Sequence, residues 1–228
     1  MTGTLESRRN MPTELELSVI LTTYERPQHL ERSLASLAQQ QNMAGRFEVV
    51  VVDDGSKDRT HDVVRQFART VDFPVKLTTH EHQGFRVALC RNDGVRASVG
   101  SYLLISDSDC LFPPHHLERH LRARKPGVVR AGNCYRLDLR TTERLTLADV
   151  GAGSYRRAVS YLERWRLWRR WISDVRYQLR RHPIKPKLMG FNIAISREDL
   201  AAVNGFDEEY VGWGCEDDDF AARLRMAG

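Results

Sequence analysis

The chain has 228 residues, of which 41% are hydrophobic and 29% are charged, a composition typical of folded globular proteins and not of disordered or membrane-spanning ones. No apolar run approaches the roughly 20 residues that a helix needs to cross a bilayer, and residues 1–10 lack the apolar stretch of a secretory signal. The net charge is +5, and the four cysteines have neither the spacing of a zinc site nor the density of a disulfide scaffold. We therefore expect a cytoplasmic catalytic domain with reduced thiols.

Strands and helices alternate along the first half of the chain. Residues 1–14 are polar and unpatterned, and we interpret them as a flexible tail. Short apolar runs predict strands at Leu17–Thr23, Phe47–Val52, Pro74–Thr79 and Tyr102–Ser106. Helices are predicted between them, at Leu30–Leu37, Val63–Phe67 and Val87–Ala97. Apolar strands that alternate with helices predict an α/β fold with a mostly parallel sheet, whose ligands bind beyond the carboxyl ends of the strands.

The pattern is looser in the second half of the chain. Pro113 and Pro114 precede a helix predicted around Leu117 and Leu121. The next predicted elements are a strand at Val128–Leu139, a long basic helix at 155–181 and a strand at Lys187–Ser196. The capping-box pattern Ser196-x-x-Asp199 predicts the start of another helix, and Gly205 predicts its end.

Two acidic motifs follow predicted strands. Asp53 and Asp54 precede Gly55 and could contact a nucleotide, although a helix-capping turn explains this motif equally well on its own. Asp107 and Asp109 follow a buried strand, where two ionised carboxylates repel each other unless water or a cation stabilises them. Carboxylate oxygens are the ligands that Mg²⁺ and Mn²⁺ prefer, so we favour a metal site over a solvated loop.

A third acidic motif opens a helix near the end of the chain. Four acids, Glu216–Asp219, follow Trp213 and its flanking glycines. The helix dipole favours acids at this position, but it does not explain the tryptophan between two glycines. A carboxylate can remove the proton of an attacking hydroxyl while a metal ion neutralises a departing diphosphate. Together the motifs predict metal-assisted transfer from a nucleotide-activated donor.

Seven motifs share their order with a known family. They are Ser-Val-Ile-Leu-Thr-Thr-Tyr-Glu-Arg-Pro (18–27), Val-Val-Asp-Asp-Gly-Ser (51–56), Arg-Asn-Asp-Gly (91–94), Ser-Asp-Ser-Asp (106–109), Gly-Phe-Asn-Ile-Ala-Ile-Ser-Arg (190–197), Asn-Gly-Phe-Asp-Glu (204–208) and Gly-Trp-Gly-Cys-Glu-Asp (212–217). With them the chain resembles the inverting glycosyltransferases of family 2, which have the GT-A fold. Its C-terminal part resembles β-1,4-galactosyltransferases and chondroitin-type synthases.

The resemblance implies a role for each matching residue. The nucleotide sugar would be bound by Thr22, Thr23, Tyr24, Arg26, Asp53, Asp54, Arg91, Asp107 and Trp213. Asp109, with Asp107, would bind Mn²⁺ or Mg²⁺. Asp217 would be the catalytic base, and the acceptor would be held by Trp213, Glu216, Asp218 and Asn192. The nucleotide-sugar half would span 15–110, and the acceptor-binding and catalytic half 111–228.

The resemblance also implies a ligand that this sequence does not match. Similar enzymes usually continue for tens of residues and supply a histidine to the metal from that extension. We therefore expect a domain truncated at its C-terminus, with low activity and with metal binding that depends on UDP. The first candidates for a replacement ligand are His80, His82, His115 and His116.

Residues 155–187 carry most of the positive charge, with eleven Lys and Arg and only two acids. Apolar residues recur at helical spacing in this segment, at Trp165, Trp168, Ile172, Val175 and Leu179. Three interpretations stay open: a helix that packs its tryptophans on the domain, a helix on an anionic membrane surface, and a cradle for a polyanionic glycan.

The predicted function is metal-dependent, inverting transfer of a hexose or N-acetylhexosamine from a UDP-sugar to a sugar hydroxyl of a glycan or glycoconjugate. The resemblance favours a galactose-type sugar, and the protein would be cytoplasmic or peripheral on the inner face of a membrane, with no nucleic-acid partner. One alternative is a sugar-nucleotide pyrophosphorylase, whose glycine-rich loop is missing after the first strand. The other is a non-catalytic nucleic-acid or anionic-membrane binding module, which leaves Asp109 and Asp217 unexplained.

Overall fold

One sheet of six strands organises the protein. The computed structural model describes residues 15–180, 182, 185 and 187–228, so the predicted flexible tail at 1–14 lies outside the described residues. The strands are β1 (Leu17–Thr23), β2 (Phe47–Asp53), β3 (Val75–Thr79), β4 (Tyr102–Asp107), β5 (Arg130–Ala131) and β6 (Ile193–Ser196). Their order is β3-β2-β1-β4-β6-β5, with β1 to β4 parallel and β6 antiparallel to β4 and β5. The predicted α/β fold with a mostly parallel sheet is confirmed.

Helices cover both faces of the sheet. They are α1 (Pro27–Leu37), α2 (Thr60–Ala68), α3 (Val87–Ala97), α4 (His116–Arg122), α5 (Leu139–Arg144), α6 (Leu147–Ala152), α7 (Tyr161–Leu179), α8 (Arg197–Ala202) and α9 (Glu216–Ala227). Successive side chains of a strand point to opposite faces. In β1, Val19 and Leu21 belong to the core on one face, together with Leu34 of α1. Ile20 belongs to the core on the other face, together with Phe220 of α9, so both faces of the strand are buried against apolar side chains.

Two predicted strands of the second half are much shorter than expected. Val128–Leu139 contains only the two residues of β5, because β6 offers a partner edge of only four residues. Lys187–Ser196 is a strand only from Ile193, since the backbone before it turns towards α9, where the Gly190 amide bonds to Asp217. Ser196 caps α8 by accepting a hydrogen bond from the Asp199 amide, and Gly205 has a positive φ of 67°, as the sequence predicts.

Helix α7 leaves its three tryptophans largely exposed. None of its 19 residues is buried, and the exposed fractions of Trp165, Trp168 and Trp171 are 46%, 55% and 61%. The opposite side of the helix, with Leu167 and Arg170, lines a cavity of the domain. The interpretation in which the tryptophans pack on the domain is therefore wrong. Within the described residues, no helix combines the length and apolar character needed to cross a membrane.

Candidate active site

Parallel strands bring the acidic motifs to one edge of the sheet. Thr23, the last residue of β1, pairs with Asp53 of β2, and Thr22 pairs with Asp107 of β4. Because these strands run in the same direction, both acids end their strands beside β1. The sheet therefore places the two motifs on either side of Thr22 and Thr23.

Asp53 is held entirely by neighbouring side chains and backbone. Its carboxylate is fully buried and accepts hydrogen bonds from the amide and hydroxyl of Ser56 and from the hydroxyl of Thr79 at 3.1 Å. Nε2 of His61 lies 2.8 Å from Oδ2 of Asp53. These contacts match a structural role of Asp53 in the turn between β2 and α2.

Asp54 lies between two histidines that follow β3. Its Oδ1 is 2.8 Å from Nε2 of His80, and its Oδ2 is 3.0 Å from Nδ1 of His82. The ring of His82 stacks on Tyr24 with centroids 4.1 Å apart, and Asp93 contacts the other nitrogen of His80 at 3.0 Å. The arrangement fixes the orientation of Asp54 at the mouth of the predicted nucleotide site.

Asp54, His80 and Cys90 are also the one group of three potential metal ligands found among the described residues. This group does not suit Mn²⁺ or Mg²⁺, which prefer oxygen ligands. Burial raises the pKa of the Cys90 thiol to about 12, so the sulfur is protonated at neutral pH. The Asp54–His80 contact is satisfied as a hydrogen bond, and we assign no metal to this group.

Asp107 and Asp109 do fit a hard divalent cation. Burial raises the pKa of Asp107 above its usual range, and the charges of Asp109 and Asp217 add to that effect while Arg91 opposes it. Arg26 lies 3.6 Å from Asp109, and the hydroxyl of Thr22 donates to Asp107 at 3.4 Å. A cation between these carboxylates would relieve the repulsion between them. Both are therefore candidates for the oxygen ligands of Mn²⁺ or Mg²⁺.

The histidines considered as a further metal ligand lie in different places. His80 and His82 contact Asp54, and Nδ1 of His115 lies 3.1 Å from Glu118. His116 lines the same cavity as Asp107 and Asp109. Burial lowers the pKa of His116 to about 4, so its imidazole is neutral at pH 7. Of these four histidines, His116 is the one that lines this cavity, and its role as a metal ligand stays a prediction.

Arg91 joins the two halves of the site through a buried ion pair. Its Nη1 donates to Asp217 at 2.8 Å and to Glu216 at 3.2 Å, and the residue is only 3% exposed. The second oxygen of Asp217 accepts a hydrogen bond from the amide of Gly190 at 2.8 Å. The start of α9 is thus fixed against α3 and against the segment that precedes β6, beside Asp107.

Gly190 is the residue that allows this close approach. A Cβ atom at position 190 would overlap Nη2 of Arg91 and lie 2.9 Å from Oδ1 of Asp217. Glycine is therefore required here because a side chain would not fit, and not because the backbone conformation is unusual. Nothing in the sequence signals this contact, although Gly190 begins the Gly-Phe-Asn-Ile motif.

The remaining predicted acceptor residues surround this centre less tightly. Trp213 is 91% exposed between two glycines that both have a φ of 98°. Asp218 forms an ion pair with Lys187 at 2.6 Å. Asn192 is only 7% exposed and lines the cavity next to Phe191. Their roles towards an acceptor stay predictions.

A cavity of about 580 Å³ adjoins the ends of β4 and β6. Asp107 and Asp109 line it, together with residues of α7. Its wall also contains Met189 and Phe191, which flank Gly190, so the cavity adjoins the Arg91–Asp217 pair. All four cysteines are free thiols, and two of them, Cys110 and Cys134, face the cavity with their sulfurs 4.0 Å apart. The space next to the carboxylates is large enough for a sugar.

Comparison with known proteins gives a consistent family. Residues 18–202 match the model of glycosyl transferase family 2. The chain is 33% identical over 224 residues to validoxylamine A glucosyltransferase of Streptomyces hygroscopicus subsp. jinggangensis, covering 93% of this chain and 52% of that protein. It is 27% identical over 234 residues to chondroitin synthase of Escherichia coli, covering 93% and 32% of the two chains. The chain thus spans about half the length of the validoxylamine relative.

Solved structures agree on the fold. The mannosyltransferase PcManGT of Pyrobaculum calidifontis, in complex with GDP-Man and Mn²⁺, superposes with a TM-score of 0.62 at 22% identity over 96% of this chain and 55% of that chain. Residues 1–349 of S. aureus TarS, in complex with UDP-GlcNAc, superpose with a TM-score of 0.61 at 20% identity over 93% and 54% of the two chains. The α/β domain of this protein has the GT-A fold of these transferases.

Proposed function

Because the chain belongs to glycosyl transferase family 2, we propose that it transfers a hexose or N-acetylhexosamine from a UDP-sugar to a sugar hydroxyl of a glycan or glycoconjugate, with inversion and with Mn²⁺ or Mg²⁺. The observation that carries this proposal is the proximity of the two acidic motifs: the charge of Asp217 helps to raise the pKa of Asp107, and Asp107 and Asp109 line a cavity together with the two neighbours of Gly190, whose amide bonds to Asp217. Inverting transfer needs a base that removes the proton of the acceptor hydroxyl and, separately, a positive charge that neutralises the leaving diphosphate. The two acidic motifs supply them from different strands and helices.

Asp217 is the proposed base. Its two oxygens are oriented by Arg91 and by the Gly190 amide, so the carboxylate has a fixed direction. Glu216, which shares Arg91, would position the acceptor, together with Asn192, Asp218 and Trp213. A fixed carboxylate is suited to accept the proton of a bound hydroxyl as that oxygen attacks the anomeric carbon.

The nucleotide would bind at the same edge of the sheet, beside the ends of β1 and β2. Tyr24, stacked on His82, offers an aromatic face, and Asp54 offers oriented oxygens for a base or ribose. Thr22, Thr23 and Arg26 continue this surface towards Asp109. A divalent ion held by Asp107 and Asp109 would supply positive charge to the diphosphate as it departs.

The donor sugar is tested with a panel. The sequence resemblance favours galactose, one relative is named as a glucosyltransferase, and the TarS structure holds UDP-GlcNAc. Thermal shifts with UDP-glucose, UDP-galactose and their N-acetyl forms, each with and without Mn²⁺, rank these donors. A ligand at 100 times its Kd adds about 2.7 kcal/mol to the free energy of unfolding. No shift with any UDP-sugar and Mn²⁺ would contradict the proposal.

We expect Asp109→Ala to lose most metal-dependent UDP binding, because one hard ligand disappears and the diphosphate charge is less well neutralised. The loss should be at least the roughly 10- to 100-fold that removing a group behind a metal ligand costs. Calorimetry with UDP and Mn²⁺ measures it. Asp62→Ala is the control, because it removes an exposed carboxylate paired with Arg65 on α2. Equal UDP affinity for wild type and Asp109→Ala would show that Asp109 does not bind the metal.

Neither alternative function accounts for the same geometry. A sugar-nucleotide pyrophosphorylase needs no base beside an acceptor cavity, yet Asp217 is oriented there by two donors. A non-catalytic binding module needs no buried ion pair between Arg91 and the first acids of α9. The transferase is the function that uses both acidic motifs.

We further propose that α7 docks on an anionic membrane surface at the inner leaflet. Its outward side carries Tyr161, Trp165, Trp168, Trp171 and Leu179, all exposed, and three exposed arginines, Arg169, Arg176 and Arg180, flank them. Tryptophan rings and arginines on one exposed helix face are typical of interfacial helices. The charge and the apolar stripe together match anionic headgroups above an acyl layer.

Changing Arg169, Arg176 and Arg180 to Glu should abolish sedimentation with vesicles rich in phosphatidylglycerol. Each basic residue near such a surface contributes about 1 kcal/mol, so removing three lowers the partition coefficient on the order of 100-fold. The control changes Lys57, Arg65 and Arg69 to Glu, which alters the net charge equally on a distant part of the chain. Wild-type protein that stays in the supernatant, or a control that loses as much binding, would refute docking through α7.

A further inference from the structure

The cavity beside Asp107 and Asp109 is lined by an unusual number of arginines. They come from α1, from α7, from the turn before α7 and from the segment before α5: Arg32, Arg136, Arg156, Arg164, Arg166 and Arg170. The only acids among the described lining residues are Asp107 and Asp109. Arginines from four separate parts of the chain therefore bring positive charge to one cavity.

Several of these guanidinium groups are not neutralised by the part of the protein that the structure describes. Arg166 pairs with Glu163 at 2.8 Å, and Arg164 donates to the carbonyl oxygen of Arg156 at 2.7 Å. In contrast, Arg32, Arg156 and Arg170 form no ion pair with a carboxylate of any described residue. Three uncommitted arginines around one cavity are costly to hold together, because like charges repel each other.

The donor leaves this positive charge unexplained. In the proposed reaction a divalent cation balances Asp107 and Asp109, and the diphosphate is the one anionic group of the donor. The six arginines exceed what that diphosphate can neutralise. A planar guanidinium matches the oxygens of a phosphate or carboxylate in a bidentate pair, which makes arginine the residue suited to such groups.

We infer that the acceptor carries an anionic oxygen group, a phosphate or a carboxylate, and that Arg32, Arg156 and Arg170 bind it. This inference rests on the proposed glycosyl transfer and names the class of its acceptor. Met189 and Phe191, which flank the Gly190 that bonds to Asp217, line the same cavity as these arginines. We therefore place the anionic group and the reacting hydroxyl on one bound molecule. Arg170, on the inner side of α7, thus has a role different from that of Arg169, Arg176 and Arg180 on its outer side.

Three sugars on one scaffold test the inference. Glucose, glucuronate and glucose 6-phosphate differ in their charged group, and ligand-observed NMR at physiological salt gives their Kd values with saturating UDP and Mn²⁺. We expect glucuronate or glucose 6-phosphate to bind at least about tenfold more tightly than glucose, as a charge-assisted bidentate pair allows. Arg156→Gln and Arg170→Gln should each remove most of that preference. Which charged sugar binds more tightly distinguishes a carboxylate from a phosphate acceptor.

Arg157→Gln is the matched control, because Arg157 is adjacent to Arg156, is exposed, and does not line this cavity. Its binding of the charged sugars should equal that of the wild type. Equal affinity of the wild type for all three sugars would overturn the inference, and so would an equal loss in Arg157→Gln.

A second titration separates the cavity from the donor site. Displacement of the charged sugar by UDP and Mn²⁺ would also overturn the inference, because the arginines would then bind the donor diphosphate. Binding of charged sugars without any binding of UDP would instead contradict the proposed function and leave the anion preference of the cavity intact. The two failures are therefore distinguishable by which ligand is lost.

Discussion

Asp217→Asn should abolish sugar transfer while leaving UDP binding nearly unchanged. An amide cannot accept the proton of the acceptor hydroxyl, and the loss of a general base typically lowers the rate about 10²- to 10⁴-fold. The nucleotide surface around Asp54 and Tyr24 is held by its own contacts with His80 and His82, whereas Asp217 is held by Arg91 and Gly190. The measurements are turnover with the true acceptor and calorimetry with UDP and Mn²⁺.

Asp217→Asn also disturbs the buried ion pair with Arg91, so the control must separate the loss of an ion pair from the loss of the base. One amide oxygen cannot accept from both Arg91 and Gly190, so the new NH₂ group faces one of these donors. Asp219→Asn removes an ion pair of similar geometry with Arg223, at 2.7 Å, from the same helix. We expect Asp219→Asn to keep its turnover. Wild-type turnover in Asp217→Asn would show that another group is the base.

Gly190→Ala should be nearly as damaging as the loss of the base itself. The added methyl group would overlap Nη2 of Arg91, which is buried and cannot move into solvent. Arg91, Asp217 or the segment before β6 must then shift, and a displacement of about 1 Å at a reacting group can cost roughly 100-fold in rate. We expect kcat to fall by that order while the protein remains folded, with turnover and thermal unfolding as the measurements.

Gly151→Ala is the control for this substitution. Gly151 lies in α6, has open space where a Cβ would be built, and has no positive φ. Alanine is favoured over glycine in a helix by about 1 kcal/mol, so this variant should be slightly more stable and equally active. If Gly190→Ala is as active as Gly151→Ala, the contact of position 190 with Arg91 does not matter for catalysis.

The sequence alone predicts the parallel part of the sheet because its strands are locally encoded. The run Leu17–Thr23 is rich in aliphatic and β-branched residues, and both it and Val87–Ala97 have the bounds in the structure that their patterns predict. The predicted strand at Val128–Leu139 fails for a reason outside its own sequence, since β6 is too short to pair with it. The local sequence pattern shows that a segment can form a strand, whereas the length of that strand depends on the strand with which it pairs.

The sequence predicts the individual motifs of the site but not the contacts between them, for a similar reason. The motifs at Asp107 and Asp217 are visible as acids after a strand and at a helix start. Their connection through Arg91 joins residues 126 positions apart, which no periodicity reveals. The histidine pair on Asp54 had a weaker signal, because His80-x-His82 follows the strand next to β2. Roles towards donor and acceptor stay predictions for all of these residues.

The antiparallel direction of β6 has a consequence for how such domains can vary. Between Asp107 of β4 and Ile193 of β6, which pairs with Ile105, the chain adds only the two residues of β5 to the sheet, so residues 108–192 begin and end beside neighbouring strands. Neighbouring strands are about 5 Å apart, so the two ends of this excursion lie close together at the edge of the sheet that carries Asp107 and Asp109. Apart from Asp109, the residues proposed to contact the nucleotide or its metal lie outside the excursion. Residues 110–192 can therefore vary in length and sequence without altering the register of β1 to β4, and this is where we expect acceptor choice to change.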